Sequence, residues 1–302
     1  MRRRLSWLLA ATIIAGFLWY TIGPAAAATR PHIIWGANVT TYPKFRARIP
    51  GAHAVRIYYG SPATAPAACP RQPDHAWETI SVRPDYAGLM AGRYDHYYRA
   101  WFKSCPPHTD VTAWHEASGN NPLGYPKSIH NAAHYKAILY RLQGLARHSN
   151  VRIGTLLCGP LNQVTNWLPR HLGWYGFDLY FNTKSYVHGH AVIAAPFATS
   201  SGSVSRQLVW HRLDANLAAI RHASGQHYPR IDIGESNASP DWRRTAWFTD
   251  VASWFGSHDG HRMARVLTFW RKKAPGTGGL SGPWPPSAAV IRTLRHLAGG
   301  SA

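Results

Sequence analysis

The chain holds three glutamates, Glu78, Glu116 and Glu235. Two of them end short apolar runs and are followed by small polar residues: VTAWHEASGNN over 111–121 and RIDIGESNAS over 230–239. An apolar run of this length suits a buried strand, and Ser, Gly and Asn suit the loop after it. The carboxyl end of a buried parallel strand is where an α/β barrel keeps its chemistry. Two carboxylates facing each other there can cleave a glycosidic bond. One protonates the leaving oxygen, and the other attacks the anomeric carbon or activates water.

Such a reaction needs flat apolar platforms for the sugar, and the chain carries 14 Trp and 15 Tyr. Trp35, Tyr58, Trp114, Tyr180 and Trp270 fall at or near expected strand ends. The same residues could equally fill a large core. Tyr180 could donate its hydroxyl to Glu235 on the neighbouring strand, or bond backbone. His115 could orient Glu116 or bind sugar, or be a satisfied strand histidine. Side chains alternate along a strand, so His115 and Glu116 share a direction only if the strand ends between them. Arg56 and Arg83 could hold sugar hydroxyls or neutralise the carboxylates, or pair within the barrel layers. Asp178 reads as a hydrogen-bond acceptor behind the site or a buried structural residue. His188 with His190, and His258 with His261, lack a partner set at metal-ligand spacing, so neither metal nor cofactor is expected. No phosphate-binding glycine loop and no G-x-S-x-G elbow is present.

The elements that must position these residues alternate along the chain. Apolar runs at 33–38, 55–59, 79–83, 111–115, 151–156, 176–181, 231–234 and 265–270 predict eight strands. Continuous apolar runs separated by crossovers predict parallel strands covered on both faces. Tyr135, Ile138, Leu139, Leu142, Leu145 and Ala146 recur at helical spacing and predict an amphipathic helix over 130–148. Further helices are predicted within 92–104, 204–224 and 245–256 and around Val290–Leu297. The Pro- and Ala-rich stretch 61–76 predicts no full helix. Eight strand–crossover units predict an α/β fold, a single-domain (β/α)8 TIM barrel, with Glu116 ending strand four and Glu235 ending strand seven.

Residues 1–28 read as an export signal: Arg2, Arg3 and Arg4, an apolar run from Leu5, then Pro24 and alanines. The domain then spans 29–302, secreted or extracellular, or anchored at the cell surface if that segment stays uncleaved. The net charge of +20 would attract anionic cell-wall polymers and acidic polysaccharides. The basic residues are dispersed and no nucleic-acid-binding signature is present, so no specific nucleic acid is expected. A monomer is expected. Three cysteines fit an oxidising compartment with one internal disulfide. Cys105 lies before strand four and Cys158 after strand five, at opposite barrel ends, so Cys69–Cys105 is the favoured pair.

An acid on strand four and a nucleophile on strand seven is the pattern of the retaining (β/α)8 glycosidase clan. Most of that clan places Asn before the acid. His115-Glu116 here, YGFDLYFN at strand six and GES at strand seven resemble glycoside hydrolase family twenty-six, the β-mannanase-like enzymes. The aromatic cluster that follows the acid in mannanases is replaced by SGNNPLGYP, so the resemblance does not extend to mannan specificity. It implies Glu116 as acid/base and Glu235 as nucleophile of a secreted retaining endo-β-glycosidase acting on a β-linked polysaccharide. The alternative is a barrel that binds carbohydrate or wall polymer without turnover.

Overall fold

The computed structural model describes residues 33–59, 67–71, 74–118, 131–158, 161–181, 184–187, 190–193, 206–238, 241–257, 264–268, 270–271, 282–283 and 285–299. The expected export segment 1–28 lies outside them. Eight parallel strands close into a barrel: β1 (Ile33–Asn38), β2 (Ala54–Tyr58), β3 (Trp77–Val82), β4 (Thr109–Ala113), β5 (Arg152–Cys158), β6 (Trp174–Phe181), β7 (Ile231–Ala238) and β8 (Ala264–Thr268). Each strand pairs with its sequence neighbours, and β8 closes on β1. The (β/α)8 architecture expected from the apolar runs is therefore the one formed.

Helices fill the crossovers: α1 (Tyr42–Arg48), α2 (Tyr86–Met90), α3 (Asp95–Ser104), α4 (Ala132–Ala146), α5 (Arg206–Ser224), α6 (Asp241–Ser257) and α7 (Ala288–Leu297). The six periodic apolar residues of α4 are its buried ones, and Asn131 caps it by accepting from the Ala133 and His134 amides. The expected helix over 92–104 is α3 alone, with α2 a separate short turn before it. α1, with Pro43 at its start, was not anticipated. A hairpin, Lys184–Val187 with His190–Ile193, stands between β6 and α5. No helix among the described residues is long and apolar enough to cross a membrane. Cys69 and Cys105 form the expected disulfide, with Cα atoms 4.8 Å apart.

β3, β4 and β6 each begin two residues before their apolar runs, and at β4 the reason is that the lower barrel is filled by paired charges. Asp110 on β4, Asp232 on β7 and Arg265 on β8 are all buried. Arg265 reaches both carboxylates, its Nη2 lying 2.5 Å from Asp232. β4 and β8 stand on opposite sides of the ring, so this contact spans the interior. Arg152 and Arg230 approach Asp110 from its flanks at 2.7 and 2.8 Å. Burial alone would push the Asp232 carboxyl up, but Arg265 and Arg230 together hold it below its ordinary range. A hydropathy pattern reads Thr109 and Asp110 as polar and starts β4 at Val111, two residues late.

Candidate active site

Glu116 follows a short break in the backbone. β4 ends at Ala113, and Trp114 and Glu116 then adopt left-handed φ values of 47° and 59°. Neither residue type favours that region, and such strain gathers at functional sites. Surrounding bonds hold it: the Trp114 amide donates to Val82 O, its indole to Pro84 O, and the Glu116 amide to Leu156 O. The strand was expected to run to His115; its earlier end releases His115 and Glu116 from strict alternation.

Glu235 is aimed by a β-bulge. Phe177 pairs with Ile233 and Asp178 with Glu235, so Gly234 is an extra residue on β7. The register against β8 slips at the same place, from Val266–Ile233 to Thr268–Ser236. A Cβ on Gly234 would lie 2.3 Å from Leu156 Cδ1 and 3.0 Å from Asp178 Oδ1, so this position admits only glycine without displacement. Ser236 accepts from the Trp247 indole of α6 at 3.0 Å, fixing its side chain outward. Glu235 is consequently held on the inner side.

Tyr58, three strands away around the ring, donates its hydroxyl to Glu235 across the barrel mouth. Its ring lies under the Arg56 guanidinium, 4.5 Å from the centroid, and meets His115 edge-on at 5.0 Å. Arg56 is fully buried and fixed by the Thr79 carbonyl and the Ser81 hydroxyl. Burial pushes the Tyr58 hydroxyl well up, as does the charge of Glu235, so it remains a donor. His115 is pushed down to about 3 by burial, then by the charges of Arg56 and Arg83, so it is a neutral imidazole near neutral pH.

Asp178 is the third carboxyl here. It is buried on β6 beside its register partner Glu235. Neither of its oxygens has a hydrogen-bond partner among the described residues. Burial pushes its carboxyl well above the usual range, the charges of Glu235 and Glu116 add to this, and Arg56 opposes them. It therefore holds a proton where an ordinary aspartate would not. The arrangement links all three carboxyls: Glu116 and Glu235 each act on the one between them.

Several sequence expectations need correction. Trp35 is fully buried with its ring edge-on to Phe248 of α6, 5.9 Å away, so it packs the barrel against its helices. Trp270 is also fully buried, its indole donating to Thr268 and Arg244 lying over its ring. Neither offers a ring face to a sugar. Tyr58 serves Glu235 with its hydroxyl instead of presenting an open face. Arg83 is half-buried with its guanidinium 5.8 Å from the Trp114 ring, at the edge of the cluster. The Tyr180 backbone pairs with Asn237, but its side chain lies outside the described residues. So do His188, His258 and His261 and the side chain of His190. The sequence offers Asp178 as an acceptor behind the site or a buried structural residue, and does not reveal the Tyr58–Glu235 bond; alternation with Trp174 and Gly176 is the available signal for placing Asp178 in the cluster.

These features define a TIM barrel with a carboxyl cluster at the strand carboxyl ends. No family model and no curated protein matches the chain. Solved structures do. A xyloglucan-specific endo-β-1,4-glucanase of family GH5 from a metagenomic library, in complex with cellotriose, aligns at TM-score 0.56 and 10% identity, over 89% of this chain and 97% of that one. Thermotoga maritima Cel5A in complex with mannotriose aligns at TM-score 0.51 and 12% identity, over 88% and 98%. Bifidobacterium dentium β-glucuronidase, complexed with coumarin-3-O-glucuronide, aligns at TM-score 0.54 and 11% identity over 90% of this chain. The present chain spans about half, 47%, of that glucuronidase. At these identities the likeness is one of fold.

Proposed function

We propose that the protein is a secreted retaining endo-β-glycosidase, similar to family twenty-six enzymes, that cleaves a β-linked polysaccharide. The observation that carries this reading is Glu235, held by Tyr58 at the barrel mouth, with Asp178 linking it to Glu116. The fold neighbours support it: one is described as a β-glucuronidase, one as an endo-β-1,4-glucanase, and one is bound to mannotriose as substrate.

In this reading a Glu235 carboxylate oxygen attacks the anomeric carbon while the bond from that carbon to the leaving oxygen breaks. Glu116 gives its proton to the leaving oxygen. Glu116 then takes a proton from water, the water oxygen attacks the anomeric carbon, and Glu235 is released as a carboxylate. Tyr58 fixes the attacking carboxylate, and Asp178, holding a proton, avoids a third negative charge in the cluster. Neutral His115 packs against Tyr58 and adds no charge.

The test is release of reducing ends from β-mannan, mixed-linkage glucan and xylan by the purified protein and its Glu235→Gln variant. Cleavage of at least one polymer, lost in the variant, is expected. Binding of a polymer without product would instead establish the non-catalytic carbohydrate-binding barrel.

A further inference from the structure

A second concave site lies at the other end of the barrel. A cavity of about 520 Å³ opens where His75 precedes β3, His108 precedes β4 and Asn150 precedes β5. Arg71 and Lys103 line it with the two histidines, and Pro106 and Pro107 give it an apolar wall. The mouth holding Glu116 and Glu235 is a strand's length away, so one short ligand cannot occupy both.

The charge balance at this cavity is one-sided. Among the described residues no carboxylate lines it. The nearby acids are engaged elsewhere: Asp74 by Tyr42 and Arg46, and Asp110 by Arg152, Arg230 and Arg265. Among the described residues neither Arg71 nor Lys103 enters an ion pair. Arg71 makes one long contact, 3.5 Å, to the Ser104 carbonyl. Behind the cavity His108 stacks on Trp77 at 4.1 Å, and Arg152 and Arg230 stand over that indole at 5.2 and 5.3 Å.

The backbone is also held in an unfavourable shape here. His75 and His108 have φ values of 54° and 69°, in the left-handed region that non-glycine residues rarely adopt. The Cys69–Cys105 disulfide ties the segment carrying Arg71 to the end of α3, and the Cys69 amide donates to Ser104 Oγ at 2.8 Å. Residues held in such sparsely populated conformations cluster at active sites and ligand clamps.

We infer that this cavity binds an acidic polysaccharide, its carboxylate or phosphate groups meeting Arg71 and Lys103 and a sugar face lying against the prolines. The volume lies within the roughly 300–1,000 Å³ of sites that enclose a small organic ligand. An inorganic anion would leave the apolar wall uncovered. A nucleic-acid duplex tracks an extended basic surface, which a cavity of about 520 Å³ does not offer. Such a site would hold the barrel on an anionic polymer while the opposite mouth stays open.

The test uses the full chain and fluorescently labelled oligogalacturonate, a phosphorylated mannan fragment and single-stranded DNA, read by polarisation at fixed salt. Arg71→Gln/Lys103→Gln is compared with Arg147→Gln/Arg170→Gln, which removes the same charge from exposed sites elsewhere. At least one acidic oligosaccharide should bind the wild type. The cavity variant should lose about tenfold or more, as expected for losing charge-assisted hydrogen bonds, while the control changes less than about twofold. Melting temperatures of both variants establish folding, and a preference for galacturonate or phosphomannan identifies the anion. Equal loss in both variants would reduce the effect to diffuse charge and overturn the proposal. So would no binding of either oligosaccharide, or DNA binding that is tighter and lost only in the cavity variant.

Discussion

The Tyr58 hydroxyl on β2 donates to the Glu235 carboxylate on β7, across the mouth of the barrel. Two residues 177 positions apart meet because closure of the sheet brings the ends of those strands to one rim. A phenol whose proton is held tightly is a constant donor, so the carboxylate keeps one orientation. Tyr58→Phe keeps the ring under Arg56 and removes this bond. A hydrogen bond to a charged group contributes about 1.5–3 kcal/mol. The variant should therefore turn over roughly 10–100-fold more slowly, and its melting temperature should fall, because the same bond also stabilises the folded state. Steady-state kinetics on whichever polymer the wild type cleaves will show this; an unchanged kcat would remove Tyr58 from the account.

Asp178 should behave as a neutral group. Its folded pKa is raised, so the unfolded chain releases this proton near the ordinary value of about 3.9 while the folded chain keeps it. Its contribution to stability is therefore present below that pH and is lost as pH rises towards the folded value. Asp178→Asn mimics the protonated acid and should gain stability relative to wild type between pH 4 and pH 7. Denaturant midpoints at the two pH values measure this, and a variant that instead loses stability on going to pH 7 would mean that Asp178 is charged.

His115 gives the opposite slope. Its folded pKa is lowered to about 3, against about 6.5 in an unfolded chain. Below pH 6.5 the unfolded state binds a proton that the folded state refuses, so stability falls as pH drops through this window. The slope approaches about 1.4 kcal/mol per pH unit. His115→Gln should flatten the change in urea midpoint between pH 6.5 and pH 4. Parallel curves for variant and wild type would show that His115 does not supply it.

The bulge at Gly234 makes a steric prediction. A methyl group there would meet Leu156 at a distance no real Cβ tolerates and Asp178 in a tight contact. Gly234→Ala should destabilise the fold by about 1–3 kcal/mol, as overpacking does, and reduce activity further by displacing Glu235. The variant's urea midpoint and its kcat, measured at a temperature where it stays folded, separate the two effects.

The barrel was legible because its strands and helices bury apolar residues with different periods; β1 follows its apolar run from end to end and α4 buries its predicted face. The starts of β3 and β4 were not legible. Asp110 is buried through Arg265, Arg152 and Arg230, partners distant in sequence. Glu116 and Glu235 stood out because they end apolar runs. Their supports did not. Strand adjacency pointed to Tyr180 as a donor to Glu235, and nothing in the sequence pointed to Tyr58 for that role, which reaches it from across the mouth. The extra residue at Gly234 becomes visible only once β6 and β8 are paired with β7. Trp35 and Trp270 were read as sugar platforms from position alone, and the direction each ring takes depends on that same pairing.

The most direct test of Glu235 as nucleophile is covalent trapping. The protein is incubated with 2-deoxy-2-fluoro glucosyl and mannosyl donors bearing good leaving groups, digested, and analysed by peptide mass spectrometry. The account predicts one sugar adduct, on the peptide containing Glu235 and absent from Glu235→Gln, with Glu116→Ala still labelled because such donors need little protonation. An adduct on another residue, or hydrolysis of a natural polymer with inversion at the anomeric carbon, would contradict it.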